Sequence, residues 1–433
     1  MVKFRPVRGM RDILYPESVE LDYLFTLFKS IVEKYGYKYV ITPTIELFEL
    51  FALKSGEEIK RSMYVFRDKA GREVALRPEV TASIARLYIN SLIGKPKPVR
   101  LYYISNVFRY EEPQFGRYRE FYQAGIELLG IKDPLADAET ILVLKEYYDS
   151  LGIKYRIKLG HVGVIRNILA YENVGEEVQD HILWLIDKGR FDDAVEVVTE
   201  HASNKERVVS VMEKLAKTRV ESKAELKVIS NIMEDLRVNG YTDAAEELDY
   251  LVRVADILYE ANVPFYIDLG FARGLAYYTG IIYEVVSGLK VSIAGGGRYD
   301  TLIKLYGGPP TPAVGFAIGI DRTLLALKSE GIRLPIGEEG KVLIVGLVEE
   351  AKPVIAKIIL NLHREGIKAS ISYYTNLKKA LSYASENKYN YVVIVGREEL
   401  KDNKVTLRDM ESRVQEKISV EELVEKVKRK LVG

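Results

Sequence analysis

Two runs of strict alternation, split by a charged loop, limit most sharply what this chain can fold into. Leu101, Tyr103, Ser105, Val107 and Arg109 alternate with Tyr102, Ile104, Asn106, Phe108 and Tyr110, a period of two that predicts a strand. Pro113 and Gly116 then break the pattern. Beyond them Phe121, Gln123, Gly125 and Glu127 share one face, while Tyr122, Ala124, Ile126 and Leu128 share the other. Two strands therefore flank a loop, with Arg109, Glu111, Arg117, Gln123 and Glu127 on or beside it. A sheet face that carries Gln and Glu among aromatics must satisfy them. An exposed hairpin with a charged tip would do so with water, and a pocket with a polar floor would do so with a ligand. The arginines point that pocket at an anion, because a planar guanidinium grips phosphate or carboxylate with two hydrogen bonds and stays charged.

FRYE…GRYREF followed by QxGxE resembles motif 2 of a class II aminoacyl-tRNA synthetase, in the form found in histidyl-tRNA synthetases. The other features of the chain can be set beside that resemblance. With 433 residues there is room for two to three domains. No apolar run could span a bilayer. The N-terminus, MVKFRPVRGMRD, has no apolar core of a secretory signal, so a cytoplasmic, membrane-free protein is expected. The absence of cysteine removes disulfide frameworks, thiolate zinc sites and cysteine nucleophiles. His161, His181, His201 and His363 are scattered, which argues against imidazole-held metal and a Ser-His-Asp triad. No protein-held metal site is read. The net charge of +1 shows no polyanion footprint overall. Residues 341–433 carry 18 Lys and Arg against 13 Asp and Glu, a balance that permits RNA contact.

Taken in order, Leu21, Leu24, Phe25, Phe28, Ile31 and Val32 recur at helical spacing, with Gly36 as a stop. YKYVITPTIE reads as one strand, and Pro43 inside it implies an edge or a distortion. Met63–Arg72 predicts a strand and turn. In LRPEVTASIARLY, Pro78 sits at a natural helix start. Glu79 either complements the helix dipole or, with Thr81, binds an ammonium group. Residues 133–152 predict an amphipathic helix and YRIKLGHV a strand. Residues 165–260 are Lys/Glu-rich and helix-patterned.

Three signatures follow. In DLGFARGLAYYTGIIYEVV, which starts near Asp268 with strand character, Arg273 lies among small and apolar residues and needs an anionic partner, internal or bound. In VSIAGGGRYD three glycines would let backbone amides approach a ligand, or simply make a tight turn. In PAVGFAIGIDRTLLAL a strand meets a helix with Asp321 and Arg322 in its first turn. A cation there opposes the macrodipole by up to ~1 kcal/mol; Asp321 could offset it, or the broken rule marks function. Residues 328–340 predict a linker, and strands alternating with helices after Lys341 predict a small α/β domain.

The resemblance extends over nearly the whole chain. ARGLxYYTG is similar to the stretch peculiar to histidyl-tRNA synthetases, with Ala276 where many members have Asp. AGGGRYD and LRPExT are also family elements, and GFAIGxDR resembles motif 3. The implied fold is an α+β catalytic core with an antiparallel sheet over residues 1–327, interrupted by a helical insertion at 165–260 that reaches the tRNA acceptor arm. A linker (328–340) and an α/β anticodon-binding domain (341–433) follow. The helix, strand and proline near Pro43 would be motif 1, which implies a homodimer.

The implied activity is histidine–tRNA ligation: histidine and ATP give histidyl-adenylate and pyrophosphate, and the histidine then passes to tRNA-His. By resemblance Arg109 would hold the α-phosphate and Arg322 the γ-phosphate, with Glu111, Arg117 and Phe121 around the nucleotide. Arg273 would neutralise charge between substrate carboxylate and α-phosphate. Glu79, Thr81 and Gln123 would take the α-amino group. Glu127 and Tyr278 would bind the imidazole nitrogens beside Tyr277, and Mg2+ would bridge the phosphates. A pocket built for both ring nitrogens rejects analogues lacking them by ~10⁴ or more, so no editing domain is required. The competing readings are the non-catalytic regulatory subunit of ATP phosphoribosyltransferase, another class II synthetase, and an RNA-binding module with a dead site. ARGLxYYTG, the intact arginine set and the C-terminal domain weigh against all three. The class I sequences HIGH and KMSKS are absent.

Overall fold

A computed structural model describes residues 4–53, 61–112, 116–273, 277–289, 291–336 and 341–432. Its contacts divide the chain into two units, Met1–Leu334 and Pro335–Gly433. The first helix, Glu17–Lys34, buries Leu21, Leu24, Phe28, Ile31 and Val32, the stripe its spacing predicts. The run after it differs from the sequence reading. YKYVITPTIE is two strands, β1 (Lys38–Tyr39) and β2 (Ile45–Leu47), in different sheets. Pro43 cannot donate to a ladder and ends the pairing between them. The carbonyl of Thr42, freed by the break, accepts from Arg77 Nη1 at 2.9 Å. β2 pairs with β4 (Glu73–Leu76), and β4 with β3 (Val65–Arg67), in a small antiparallel sheet.

The frame of the larger unit is a nine-stranded sheet. After β1 its strands are β5 (Val99–Phe108), β6 (Glu120–Leu129), β7 (Tyr155–His161), β8 (Arg219–Val220), β9 (Phe265–Asp268), β10 (Ile281–Ser287), β11 (Ser292–Arg298) and β12 (Ala313–Gly319). They lie in the order β1-β5-β6-β12-β11-β10-β7-β9-β8. Every pairing from β5 through to β7 is antiparallel, whereas β1 on β5 and β9 on β7 are parallel additions. A parallel neighbour demands a crossover, and here the crossover is the helical block. Helices Val162–Tyr171, Glu176–Asp187, Phe191–His201, Lys205–Ala216, Leu226–Val238 and Thr242–Glu260 lie between β7 and β9.

The helix Pro134–Leu151 starts where Asp133 caps the amide of Leu135 at 2.8 Å and stops at Gly152, whose φ is +69°. It packs against Glu17–Lys34 and Thr242–Glu260 and buries Ile141, Leu144, Tyr147 and Tyr148, with Asp137 and Thr140 among them. It is a core helix more than an amphipathic one.

The second unit has its own sheet, β14 (Lys368–Ser372), β13 (Lys341–Gly346), β15 (Tyr391–Val395), β16 (Lys404–Asp409) and β17 (Gln415–Ser419) in that order. The first three are parallel and the last two antiparallel. The antiparallel pair β16 and β17 turns after Asp409, whose amide donates to the Val414 carbonyl at 3.0 Å. Asn403, at φ +51°, ends the short helix Arg397–Lys401.

Candidate active site

Antiparallel register gathers the pocket face of the central strands. Leu101, Tyr103, Ser105 and Val107 of β5 stand opposite Glu127, Gly125, Gln123 and Phe121 of β6. Two rows of small residues continue across the sheet: Glu127–Gly315–Gly297, and Gly125–Ala317–Gly295. A Cβ on Gly315 would stand 2.0 Å from Glu127 Oε2, and one on Gly295 2.2 Å from Arg273 Nη1. The bare backbone is thus a trough in which large polar side chains lie flat. The sequence left the AGGGRYD glycines open between admitting a ligand to backbone amides and making a tight turn. They lie within β11 instead and make room for Arg273 and for the Tyr278 ring.

Above this floor lies a cleft whose empty space, its open mouth included, is about 980 Å³. Every residue singled out from sequence lines it: Arg109, Glu111, Arg117, Phe121, Gln123, Glu127, Glu79, Thr81, Arg273, Tyr277, Tyr278 and Arg322. Ala276 lies outside the described residues.

One end is buried and acidic. Glu127 is 1% exposed. Thr81 Oγ1 donates to its Oε1 at 2.7 Å, and the Tyr299 hydroxyl donates to its Oε2. Burial outweighs these two donors, and with the nearby Glu79 charge it pushes the Glu127 carboxyl up to about 8. Glu79 accepts from the backbone amides of Thr81 at 2.6 Å and Ala82 at 3.0 Å, at the start of the helix Thr81–Ser91. It therefore caps that helix and lines the cleft at once, and burial raises its pKa also. Pro78 precedes the helix rather than opening it. Gln123 Oε1 and Arg273 Nε are buried without a hydrogen-bond partner. Among the described residues no carboxylate pairs with Arg273, whose Nη1 donates to the carbonyl of Tyr283 at 3.3 Å.

The other end is cationic. Arg109 Nε donates to the Pro78 carbonyl at 2.9 Å, and its guanidinium lies 5.5 Å from the centre of the Phe121 ring. Arg117 reaches Glu111 at 3.7 Å on the rim. Arg322 is held by the carbonyls of Gly116 at 3.0 Å and Ser292 at 3.1 Å. Burial, then the charges of Arg117 and Arg109, depress its pKa, the mark of positive charge gathered without its anion. Asp321 does not offset Arg322. Its two oxygens accept from Arg11 Nη2 at 2.9 Å and from the amide of Tyr122 at 2.7 Å.

Tyr103, Tyr299 and Arg11 were missed from sequence. Tyr103 could have been found, because its ring spans the position opposite Gly125, where a Cβ would stand 2.4 Å from its hydroxyl. Tyr299 lies within AGGGRYD and Arg11 within MVKFRPVRGMRD, but they act across 172 and 310 residues of chain, so nothing local named their partners.

The histidyl-tRNA synthetase family profile matches residues 9–323. The chain belongs to the histidyl-tRNA synthetase family. An anticodon-binding-domain profile matches residues 341–430. The chain is 43% identical to the histidine–tRNA ligase of Saccharolobus solfataricus and 42% to that of Saccharolobus shibatae, over the full length of both partners in each case. The apo histidyl-tRNA synthetase of S. aureus superposes with a TM-score of 0.71 at 28% identity, covering 98% of this chain and 99% of that one. A protein of Bacillus halodurans described as an ATP phosphoribosyltransferase regulatory subunit/histidyl-tRNA synthetase shares the fold, with a TM-score of 0.75 at 24% identity over 92% and 99% of the two chains. Fold alone therefore does not separate ligase from regulatory subunit. Full-length likeness to the ligases, with both domains, does. A member of this family so built is an aminoacyl-tRNA ligase that uses ATP.

Proposed function

We propose that this chain activates histidine with ATP and transfers it to tRNA-His through the residues of this one cleft. The observation that carries the reading is its polarity. A buried carboxylate fixed by two hydroxyls lies at one end, arginines converge at the other, and Arg273 lies in the glycine trough of β11.

In the first step a carboxylate oxygen of histidine attacks the α-phosphorus of ATP. The bond to the β-phosphate side breaks, and pyrophosphate leaves. The nucleophile is already anionic, so no base is needed and catalysis reduces to alignment and charge neutralisation. Arg109 holds the α-phosphate and Arg322 the γ-phosphate, with Glu111, Arg117 and Phe121 about the nucleotide. Arg273 bridges substrate carboxylate and α-phosphate. Glu79, Thr81 and Gln123 receive the α-amino group, a role supported by the unpartnered Gln123 Oε1. Glu127 and Tyr278 take the imidazole nitrogens beside Tyr277. In the second step a ribose hydroxyl at the tRNA 3′ end attacks the acyl carbon, and AMP leaves.

Mg2+ fits this donor set as an ion held mainly by phosphate oxygens and water. Among the described residues no cluster of three acidic or imidazole groups forms a cage, and Glu111 is the carboxylate on the nucleotide side that would complete the shell. The ion would neutralise phosphate charge.

In this reading residues 1–327 are the catalytic domain, 165–260 its insertion toward the acceptor arm, 328–340 a linker and 341–433 the anticodon-binding domain. A homodimer is supported by Ile45 and Leu47 of β2 and Phe66 of β3. These share one face of the small sheet and are 43–50% exposed. No described helix is long and apolar enough to cross a membrane, and we place the activity in the cytoplasm.

The test is ATP–pyrophosphate exchange with each amino acid in turn, alongside Arg273→Ala. Exchange with histidine alone, lowered about 10²–10³-fold in the variant, is the expected result. A folded protein that binds histidine but exchanges with no amino acid would move the weight to the regulatory reading.

A further inference from the structure

β11 ends at Arg298, and the alternation that turns Gly295 and Gly297 toward the cleft turns Arg298 away from it. Its side chain is 2% exposed, and every nitrogen of its guanidinium is engaged. Nε donates to Asp137 Oδ1 at 3.0 Å, and Nη2 to Asp137 Oδ2 at 2.6 Å. Nη1 donates to the carbonyl of Ile131 at 3.1 Å and to Asp300 Oδ1 at 3.0 Å. Asp137, itself fully buried, also accepts from the hydroxyl of Tyr250 at 2.6 Å. Two buried groups with every guanidinium nitrogen and both carboxylate oxygens engaged define one geometry, because any displacement strands a charge in a low-dielectric interior.

The backbone around Arg298 carries that geometry to the cleft. Its carbonyl accepts from the amide of Thr279 at 2.8 Å, and Thr279 directly follows Tyr278. The Thr279 hydroxyl accepts from the amide of Asp300 at 3.0 Å, and Asp300 Oδ1 accepts from the amide of Ala313 at 3.0 Å. The Tyr299 amide donates to the Ala313 carbonyl at 2.8 Å. Tyr278 and Tyr299 thus leave, in the direction opposite to Arg298, from two backbone segments joined at Arg298. Tyr299 then donates to Glu127.

We propose that Asp137 and Arg298, braced by Tyr250, are positioning residues that set the two tyrosines framing the imidazole end of the cleft. They touch no substrate and act through Tyr278, Tyr299 and Glu127. Because Tyr250 stands on the helix Thr242–Glu260, the proposal also ties the helical block, which supplies no residue to the cleft, to amino-acid recognition. It rests on the histidine-activation reading above.

Among the described residues no hydrogen bond links Asp137, Arg298 or Tyr250 directly to Arg109, Arg117 or Arg322, so the effect should fall on one substrate. Tyr250→Phe removes one oxygen and keeps the ring. Arg298→Lys keeps the charge but cannot reach Asp137, Ile131 and Asp300 together. In histidine-dependent pyrophosphate exchange by the full-length protein, both variants should raise KM for histidine about two- to thirtyfold, the range by which remote contacts tune a site, and leave KM for ATP unchanged. Tyr241→Phe is the control. Tyr241 lies just before the same helix, is also buried and donates to the buried Glu172 at 2.7 Å, outside the Arg298 network. It should lower the melting temperature and leave both KM values alone.

The proposal is overturned if the folded Tyr250→Phe variant keeps the wild-type KM for histidine. It is equally overturned if the two KM values rise together, or if Tyr241→Phe reproduces the shift. Should Arg298→Lys melt below the assay temperature, Tyr250→Phe decides. Wild-type protein that shows no histidine-dependent exchange would instead sink the underlying reading, before any variant is compared.

Discussion

Glu127 sits at a conflict between folding and recognition. Burial lifts its pKa from 4.5 to about 8, so between those values the folded chain holds a proton that the unfolded chain has released. Stability linked to this group is therefore fully present below about pH 4.5 and falls as pH rises through about 8. Glu127→Gln removes the linkage. Its melting temperature relative to wild type should climb from pH 5 to pH 9 and level off above that, with a change of a few kcal/mol at most across the window. Thermal melts of both proteins over that range check it. The same variant should lose histidine-dependent exchange, because an amide cannot serve as the charged acceptor for the imidazole.

At the scale of elements, β11 shows how a strand can be built for what lies on it. Gly295 and Gly297 make it a weak strand by propensity, and its pairing with β10 and β12 compensates. Gly295→Ala would put a methyl 2.2 Å from Arg273 Nη1. The strand should hold and the guanidinium should move. A misplacement near 1 Å costs catalysis about a hundredfold, so kcat for exchange should drop by that order while the protein melts near the wild-type temperature. Steady-state kinetics beside a thermal melt separate the two effects. The helix Pro134–Leu151 makes a related point. The sequence predicted it over residues 133–152, but Asp137 within it gains meaning only from Arg298, 161 residues away.

For the whole molecule, the two units have separate apolar cores, one around the nine-stranded sheet and others around the five-stranded sheet. Calorimetry should resolve two transitions, since such a chain has no reason to unfold as one. Histidine with a non-hydrolysable ATP analogue should raise only the transition of residues 1–334, because a ligand stabilises the unit that binds it. The exposed Ile45, Leu47 and Phe66 belong to the same scale. Replacing Leu47 and Phe66 by Asp should halve the mass in sedimentation equilibrium if they face a second copy, and leave it unchanged if they do not.

What the sequence by itself determined was local and periodic. Alternation marked β5 and β6 and assigned their faces, so Gln123 and Glu127 were already on one side with Phe121. Ordered motifs named the arginines of the cleft and the acids at its far end. Gly36 marked the end of the first helix. Tertiary structure alone decided the rest. Which carboxylate answers which arginine was not legible: Asp321 serves Arg11 rather than its neighbour Arg322, and Asp137 serves Arg298. Nor was the purpose of the glycines, which depends on side chains brought across from other strands. Period and propensity are properties of a few consecutive residues. The pairing of buried charge and the space above a bare backbone depend on strands far apart in sequence that meet only when the sheet closes.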